Sequence, residues 1–419
     1  MTLTRLRGFQ DLMGAAARSV GYIEDRARAI ARRYAINEIR IPLIERLDLY
    51  ERSSGETSDV VEKQMYLVRR HAESDADSGE MALRPEGTPG VVRAYIEAGL
   101  DRSDPEQRLY YSGPMLRYER PQKGRYRQFH QFGVEMFGRA DAAIDAELML
   151  MLDDLRGDLG LQLEFQVNSL GCQNCRPAFR EALLAWGREH YNELCEDCHQ
   201  RLERNPLRIL DCKNDVRLTE SAPRTIDYLC EDCSRHFETV TTLLTAGSVA
   251  YVVNPRLVRG LDYYTRTTFE VTSNALGSQN TVAAGGRYDG LVEQLGGAAV
   301  AGTGFAIGVE RLALALAAES IAPGSPDAVV IALGDKALPV AMNIAHDLRA
   351  AGFRIEVASP DRGLKAQLRR ADRVKARFAL ILGDNELERG VVQLRRLGDG
   401  NQSEIPTGGI AAAIGEVRD

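Results

Sequence analysis

The chain has 419 residues, a net charge of −7, and 44% hydrophobic and 27% charged residues. This length exceeds what one hydrophobic core usually supports, so we expect two or three domains of ordinary globular composition. The acidic net charge excludes a uniformly basic nucleic-acid coat protein. No apolar run reaches the roughly 18 residues of a membrane helix, and the first residues lack the apolar core of a signal peptide. We therefore expect a cytoplasmic location.

The N-terminal region is predicted to combine helices with short strands. Apolar residues recur at helical spacing between positions 18 and 34, which predicts an amphipathic helix. The segment 36–50 contains Pro42, which cannot donate to a β ladder, so we expect an edge strand or an interface segment there. Strands are predicted in MYLV and MALRPEGT, and a helix follows with Thr88 as its N-cap and Pro89 at its first position.

Residues 115–138, MLRYERPQKGRYRQFHQFGVEMFG, predict two strands and a turn. A period of two groups alternate side chains on one face of each strand: Met115, Arg117 and Glu119 on the first, and Phe129, Gln131, Gly133 and Glu135 on the second. If both faces point the same way, they form the floor of a site with room for a ligand above Gly133. The alternative is a half-exposed sheet whose polar face meets water, and the hairpin alone leaves both open.

Two further segments carry side chains suited to small anions or cations. LRPEGT (83–88) places Glu86 and Thr88 at a strand-to-helix turn, where they could hold an ammonium group or simply begin a helix. LVRGLDYYTRTTFEV (257–271) places Arg259 beside a glycine, which permits close approach to a phosphate.

Two glycine-rich segments follow. AAGGRYDGL (283–291), taken alone, indicates a tight turn before Arg287. GTGFAIGVERLALAL (302–316) predicts a strand entering a helix with Arg311 in its first turns. Because the GxxxxGK[ST] phosphate loop is missing, the phosphates of any bound ATP must be held by arginines.

Seven cysteines occur between residues 172 and 233, as three CxxC pairs and one further residue: Cys172/Cys175, Cys195/Cys198, Cys230/Cys233 and Cys212. Paired CxxC motifs have the spacing of structural zinc sites, whereas disulfides are unusual in a reducing compartment. The other interpretation, reduced thiols in a poorly packed insert, is the favoured one. The charged, helical pattern of residues 172–246 predicts an insertion between two strand-rich regions.

The pattern changes after residues 319–327, ESIAPGSPD, which predict a linker. Strands and helices then alternate, which predicts a small α/β domain with a mostly parallel sheet. We therefore predict a first domain at residues 1–325 and a second at residues 326–419. A helix of the second domain carries a basic run, which is usually a solvated face and favours RNA binding only in a protein that must bind RNA: Lys365, Arg369, Arg370 and Arg373.

Together these segments resemble the class II aminoacyl-tRNA synthetases, and the histidyl-tRNA synthetase family in particular. LRYERPQKGRYRQFHQ and GVERL are similar to the second and third class motifs, and LVRGLDYYTRTTFEV and AAGGRYDGL are similar to the histidine-specific signatures. The resemblance covers essentially the whole chain. It implies an α+β fold, in which an antiparallel catalytic sheet with flanking helices and a helical insertion precedes an α/β anticodon-binding domain.

The resemblance also implies residue roles. For ATP, it implies that Arg117 binds the α-phosphate, that Glu119 and Phe129 contact the adenine, and that Arg311 binds the γ-phosphate. For histidine it implies an ammonium site and an imidazole site: Glu86, Thr88 and Gln131 for the former, and Glu135, Tyr263 and Tyr264 for the latter. Arg259 matches the catalytic arginine at the reacting phosphate.

The implied reaction joins L-histidine to tRNA(His) with ATP as substrate and Mg²⁺ as cofactor. Gln122 and Arg127 in the hairpin turn are candidates for reading the acceptor end of the tRNA, and residues 38–51 resemble the interface segment of a homodimer. The competing hypotheses are a synthetase-like regulatory subunit of an ATP phosphoribosyltransferase and an RNA-binding sensor. The regulatory subunits typically lose active-site arginines, whereas Arg117, Arg259 and Arg311 are all present here.

Overall fold

A computed structural model describes residues 3–54, 60–69, 79–277, 280–316, 321 and 324–415. It divides into two compact units, residues 1–321 and 322–419. Within the described residues, no helix has both the length and the apolar character needed to cross a membrane. Most of the predicted linker lies outside the described residues.

The first unit combines helices and strands throughout. Its α-helices are α1 (Ala15–Arg33), α2 (Leu47–Ser54), α3 (Thr88–Glu97), α4 (Leu100–Ser103), α5 (Ala142–Asp158), α6 (Arg176–Glu189), α7 (Glu196–Arg204), α8 (Glu231–Ala246), α9 (Leu291–Gln294) and α10 (Val309–Ala315). Its strands are β1 (Asn37–Glu38), β2 (Ile44–Arg46), β3 (Tyr66–Val68), β4 (Met81–Leu83), β5 (Arg108–Leu116), β6 (Gln128–Phe137), β7 (Glu164–Ser169), β8 (Tyr251–Val253), β9 (Thr265–Thr272), β10 (Thr281–Arg287) and β11 (Gly302–Gly308).

The main sheet has eight strands in the order β1-β5-β6-β11-β10-β9-β7-β8. The pairings from β5 to β7 are antiparallel, and only the two edge pairings, β1 with β5 and β7 with β8, are parallel. The predicted antiparallel catalytic sheet is therefore confirmed. Around Pro42 the chain forms β1 at the edge of this sheet and β2 at the edge of a small sheet, β2-β4-β3, which confirms the edge-strand interpretation.

The two faces of the main sheet differ. One face packs on α1, α5, α8 and α10 in a continuous apolar core that includes Phe132 and Val134 of β6. Because side chains alternate along a strand, Gln131, Gly133 and Glu135 point to the opposite face. That second face carries the polar side chains described below.

The insertion, residues 172–246, lies between β7 and β8. It consists of α6, α7 and α8 with short 3₁₀ turns at 191–193, 206–209, 218–221 and 225–228. A small core of its own surrounds Leu183, Trp186, Leu202 and Ile209. The predicted helical insertion is confirmed, but much of its chain is irregular.

The second unit contains α11 (Ala337–Ala350), α12 (Leu364–Arg373), α13 (Asp384–Arg389) and α14 (Ile410–Gly415). Its strands, β12 (Ala328–Ala332), β13 (Ile355–Val357), β14 (Phe378–Leu382), β15 (Val391–Arg396) and β16 (Gln402–Pro406), form a sheet in the order β13-β12-β14-β15-β16. β13, β12 and β14 are parallel, as predicted, and β15 and β16 add an antiparallel pair.

Two local predictions were wrong. Thr88 is the first residue of α3 rather than its side-chain cap, because its hydroxyl donates to a carboxylate across the site. The glycines of AAGGRYDGL do not form a turn, since Gly285 and Gly286 lie inside β10. A Cβ on Gly285 would come within 2.3 Å of the Gly304 carbonyl oxygen on β11, so the glycine allows close strand packing.

Candidate active site

A cleft of about 250 Å³ lies on the second face of the main sheet. It is lined by side chains from the turn before α3, the β5–β6 hairpin, the loop before β9, and α10. Its lining includes most of the predicted site residues: Glu86, Thr88, Arg117, Glu119, Phe129, Gln131, Arg259, Tyr263, Tyr264 and Arg311. Segments that are far apart in the sequence therefore meet in one cavity.

The register of the hairpin explains this meeting. Met115 lies directly opposite Phe129, and the Arg117 amide donates to the Arg127 carbonyl at 2.9 Å, so the ladder continues past the end of β5. Opposite residues of an antiparallel pair share a face, which places Arg117 beside Phe129. Their guanidinium carbon and ring centroid are 5.4 Å apart. The predicted common face is confirmed.

The sequence suggested open space for a ligand above Gly133, but in the structure this space is filled. Tyr111, its partner on β5, covers Gly133, and a Cβ at that position would lie 2.3 Å from the Tyr111 ring. The glycine accommodates a tyrosine of the neighbouring strand rather than a ligand.

Backbone carbonyl oxygens hold two of the three arginines. The Nε of Arg117 donates to the Pro85 carbonyl at 2.8 Å, and the Nε of Arg311 donates to the Gly124 carbonyl at 3.2 Å. Nη2 of Arg311 is buried and has no hydrogen-bond partner among the described residues. Because a guanidinium has five N–H donors, each anchored arginine keeps donors for a ligand.

Arg259 reaches the cleft from the loop before β9. Its guanidinium forms an ion pair with Glu270 of β9, and both side chains are about one-fifth exposed. Burial alone would lower the pKa of Arg259, but the negative charge of Glu270 raises it, so the arginine remains a cation. Glu119, which pairs with Arg125 at 3.4 Å, adds a second carboxylate to this end of the cleft.

A second group of side chains in and beside the cleft, here called its carboxylate end, consists of buried carboxylates and hydroxyls. Glu135 is 1% exposed and accepts hydrogen bonds from the Thr88 hydroxyl at 2.6 Å and from the Tyr288 hydroxyl. Burial raises the pKa of Glu135 to about 8. The Tyr263 hydroxyl donates to Glu86 at 3.0 Å, and burial raises the pKa of Tyr264 to about 12. Carboxyl and hydroxyl oxygens are thus placed where a ligand with N–H groups can bind.

Glu135 adjoins the cleft through the residues that bond it. Thr88 and Tyr288 line the cavity, and Gly304, also in the lining, leaves space for the carboxylate. A Cβ on Gly304 would lie 2.1 Å from Glu135 Oε2. The predicted contact between Glu135 and an imidazole remains a prediction.

Sequence reasoning missed Tyr288 and Glu270. Tyr288 follows Arg287 inside the quoted segment AAGGRYDGL, but only the fold brings it to Glu135. Glu270 is the one acid of β9, a strand that also holds Arg266, four threonines and two apolar residues, and this was the available signal. Arg287 itself is fully buried and binds Asp145 of α5 on the other side of the sheet, so it is not a site residue.

The two candidates for tRNA contact lie at the hairpin turn rather than in the cleft. Gln122 is exposed and bridges to Arg125 across a two-residue turn. The Arg127 guanidinium lies 3.8 Å from the Tyr118 ring centroid, and its backbone amide donates to the Gly8 carbonyl at 2.8 Å. Arg127 therefore also joins the hairpin to the N-terminal segment.

The insertion supports the loop that carries Arg259. The Arg208 guanidinium donates to the Gly260 carbonyl at 3.0 Å, and the Asn205 amide donates to Asp262 at 2.9 Å. Arg176, at the start of α6, donates to the Tyr264 carbonyl. The position of this loop thus depends on how the insertion folds.

Comparison with known proteins agrees with this geometry. The family model for histidyl-tRNA synthetase matches residues 8–312, and that for an anticodon binding domain matches residues 327–416. The chain is 48% identical over 419 residues to the histidine–tRNA ligase of Trichlorobacter lovleyi, covering 99% of both proteins. It is 47% identical over 409 residues to that of Geobacter sulfurreducens, covering 96% of this chain and 97% of the relative.

Solved structures show the same fold. The apo histidyl-tRNA synthetase of S. aureus superposes with a TM-score of 0.80 at 34% identity and covers 99% of this chain and 100% of its own. A protein from Bacillus halodurans described as an ATP phosphoribosyltransferase regulatory subunit/histidyl-tRNA synthetase has a TM-score of 0.68 at 20% identity, with coverage of 91% and 99%. At that identity only the fold is shared. From the family models and the full-length relatives, the chain belongs to the histidyl-tRNA synthetase family.

Proposed function

We propose that this chain activates L-histidine with ATP and transfers the histidyl group to tRNA(His). In the first step, a histidine carboxylate oxygen bonds to the α-phosphorus of ATP and pyrophosphate leaves. In the second step, a hydroxyl of the tRNA terminal adenosine attacks the acyl carbon and AMP leaves. The observation that carries this proposal is the convergence of Arg117, Arg259 and Arg311 on one cleft that also contains Glu86.

The arginine end of the cleft suits ATP. Arg117 is assigned to the α-phosphate and Arg259 to the developing charge on the reacting phosphoryl group, because fixed guanidinium groups stabilise such charge without reorganisation. Arg311, with a donor that has no described partner, is assigned to the γ-phosphate. Phe129 offers a ring for the adenine, with Glu119 near its edge. The histidine carboxylate is itself the nucleophile, so no nucleophilic side chain is required.

Mg²⁺ bound with ATP would shield charge on the β- and γ-phosphates. Mg²⁺ prefers oxygen ligands, and the carboxylates of Glu119 and Glu270 line the arginine end of the cleft. The residues present therefore fit this ion.

The carboxylate end of the cleft suits the histidine ammonium and imidazole groups. The Thr88 hydroxyl gives its hydrogen to Glu135, so its oxygen lone pairs remain able to accept from an ammonium group, as do those of Glu86. Gln131 also lines the cleft and is the third group assigned to the ammonium.

Glu135, Tyr263 and Tyr264 are assigned to the imidazole. A neutral imidazole has one donor and one acceptor nitrogen, and a carboxylate with a tyrosine hydroxyl matches both. An amino acid without these nitrogens would leave buried polar groups unpaired, which costs about 1–3 kcal/mol for each such group. This pairing supports histidine as the substrate.

The remaining partners follow from the family. The hairpin turn with Gln122 and Arg127 is assigned to the acceptor end of the tRNA, and the second unit to the anticodon. A homodimer formed through residues 38–51 and a cytoplasmic location complete the proposal.

The direct test is histidine-dependent exchange of pyrophosphate into ATP, which requires no tRNA. We expect the wild-type chain to catalyse exchange, Arg259→Ala to lose it while still binding histidine, and the exposed control Arg235→Ala to retain it. Unchanged exchange in Arg259→Ala would refute the role of that arginine. A wild-type chain that binds histidine without any exchange would favour the regulatory-subunit function instead.

A further inference from the structure

The seven cysteines gather into two compact groups in the insertion. The first unites two CxxC pairs: Cys172, Cys175, Cys230 and Cys233. The second unites the remaining pair with two residues that the sequence did not connect to it: Cys195, Cys198, Cys212 and Asp215. In each group the candidate ligand atoms all lie within 4.8 Å of one another.

The sulfur spacing in the first group matches a tetrahedral thiolate site. Cys172 Sγ lies 3.7 Å from Cys175 Sγ and 3.8 Å from Cys230 Sγ. Four sulfurs at a zinc–sulfur distance of about 2.3 Å stand about 3.8 Å apart at the corners of a tetrahedron. A disulfide would instead bring two sulfurs to about 2.05 Å.

The second group has the same spacing with one oxygen ligand. Cys195 Sγ and Cys212 Sγ are 3.6 Å apart. Asp215 is buried, and its Oδ2 accepts from the Cys195 amide at 3.1 Å, which orients the carboxylate towards the sulfurs. Three thiolates and a carboxylate form a donor set that zinc accepts.

Each CxxC pair lies where a helix begins. Cys175, Cys195 and Cys230 directly precede α6, α7 and α8. The Cys230 amide donates to Cys175 Sγ at 3.1 Å. Backbone N–H groups and the positive helix N-termini stabilise the thiolates that a metal requires.

We propose that each group binds one structural Zn²⁺ ion: Cys172, Cys175, Cys230 and Cys233 the first, and Cys195, Cys198, Cys212 and Asp215 the second. The cysteines bind as thiolates, so each zinc displaces the thiol protons to solvent, and no oxidant or reductant is needed. With four ligands apiece both sites are closed, which is the arrangement of structural rather than catalytic zinc.

The placement of the two sites gives them a structural role. The first joins residues that are 58 apart, at the start of the insertion and at the start of its last helix, α8. The second joins residues that are 17 apart, on either side of the 206–209 turn that carries Arg208. Small units with little core commonly need such cross-links. The sites therefore hold Arg176 and Arg208, which bond the backbone of the Arg259 loop.

The test is to purify the whole 419-residue chain without chelator and to measure its metal content by inductively coupled plasma mass spectrometry. We expect about two zinc ions per chain, as two closed sites require. Cys230→Ser and Asp215→Asn are each expected to lose one zinc. Asp197→Asn is the matched control, because Asp197 is exposed and lies between Cys195 and Cys198 without belonging to the group. The control is expected to keep both ions.

A second measurement covers variants that fail to fold. Wild-type chain stripped of zinc and titrated with Co²⁺ is expected to show thiolate-to-cobalt charge-transfer bands and the intense visible bands of tetrahedral cobalt, saturating at two equivalents. Wild-type chain without zinc after growth in zinc-supplemented medium, together with no such bands, would overturn the proposal. Loss of one zinc in Asp197→Asn would overturn the ligand assignment.

Discussion

The cleft and the insertion position their functional side chains by different physical means. In the cleft, β-sheet register places Arg117 beside Phe129, and backbone carbonyls fix the arginines. In the insertion, short helices and 3₁₀ turns surround a small core, and side-chain clusters join distant segments. Strand pairing thus sets the positions of the cleft side chains, whereas the side-chain clusters of the insertion set the position of the loop that carries Arg259.

One buried cluster connects the two regions. Asp145 of α5 accepts from Arg287 of β10 and lies 2.8 Å from Nε2 of His236, which belongs to α8 of the insertion. Burial alone would raise the pKa of Asp145, but His236 and Arg287 together hold it below its usual range. Breaking this cluster removes one buried polar link between the sheet and the insertion, on the face of the sheet away from the cleft.

The largest expected effect is on stability, from Arg287→Met. Arg287 and Asp145 are both completely buried, so the variant removes the arginine and leaves the buried carboxylate with His236 as its remaining partner. We expect a loss of about 3–5 kcal/mol in the free energy of unfolding of the first unit. Urea unfolding followed by circular dichroism measures it. Arg235→Ala, which removes the exposed ion pairs with Glu231 and Asp232, is the control and is expected to stay within about 0.5 kcal/mol of wild type. A loss in Arg287→Met no larger than the control's would contradict this account.

The next effect is on catalysis, from Arg117→Ala. Its Nε is anchored to the Pro85 carbonyl, so the guanidinium is oriented before ATP arrives. We expect pyrophosphate exchange to fall by about 10²–10³-fold, with little change in melting temperature. Arg120→Ala is the control, because Arg120 is an exposed arginine of the same hairpin. Equal losses in both variants would show that hairpin charge, rather than a positioned arginine, controls exchange.

The hairpin shows what the sequence could and could not predict about the site. Strict alternation in the hairpin predicted the face shared by Arg117, Phe129 and Glu135, because period two is a local property of strands. The sequence could not predict contacts between segments that are far apart along the chain. The hydroxyl of Tyr288 on Glu135, and the ring of Tyr111 over Gly133, depend on neighbouring strands whose register no single segment encodes.

The cysteines illustrate the same limit in the insertion. CxxC spacing predicted pairs that could act together, since three residues span one turn. It could not show that Cys195 and Cys198 meet Cys212 and Asp215, because after α7 the chain passes through the 3₁₀ turn at 206–209 and an irregular segment. Where structure is irregular, spacing along the sequence carries little information about distance.

A third prediction concerns the pH dependence of stability. Burial raises the pKa of Glu135 in the folded chain to about 8, above its ordinary value of 4.5, so the folded state holds this proton more tightly. The resulting stabilisation is complete below about pH 4.5 and is lost as pH rises through about 8. Between pH 5 and pH 8 the unfolding free energy of wild type is expected to fall relative to Glu135→Gln, by roughly 1 kcal/mol per pH unit.

Urea unfolding of the ligand-free chain at several pH values measures this difference. Glu97→Gln serves as the control, because Glu97 is exposed on α3 and pairs only with a half-buried arginine. A constant difference between wild type and Glu135→Gln across this range would mean that Glu135 is ionised throughout, and the buried carboxylate would then already be charged before histidine binds.

The smallest expected effect concerns tRNA and the second unit. On α12, Lys365, Arg369 and Arg373 are exposed, whereas Arg370 pairs with Glu356 at 2.8 Å. If the three exposed cations contact phosphates, replacing each with alanine reduces the slope of log affinity against log salt by about 1. Binding of tRNA(His) measured at several salt concentrations gives this slope. Arg370→Ala is the matched control, because the charge of Arg370 is already paired with Glu356 of β13.

Pyrophosphate exchange separates this effect from the others. Exchange needs only histidine and ATP, and the cleft proposed to bind them is lined by residues of the first unit. The α12 variants are therefore expected to weaken aminoacylation at low tRNA concentration while leaving exchange at the wild-type rate. The variant with all three cations replaced should show a smaller salt slope, because each lost phosphate contact reduces the number of counterions released on binding. If its slope equals that of wild type, α12 is only a solvated helix face.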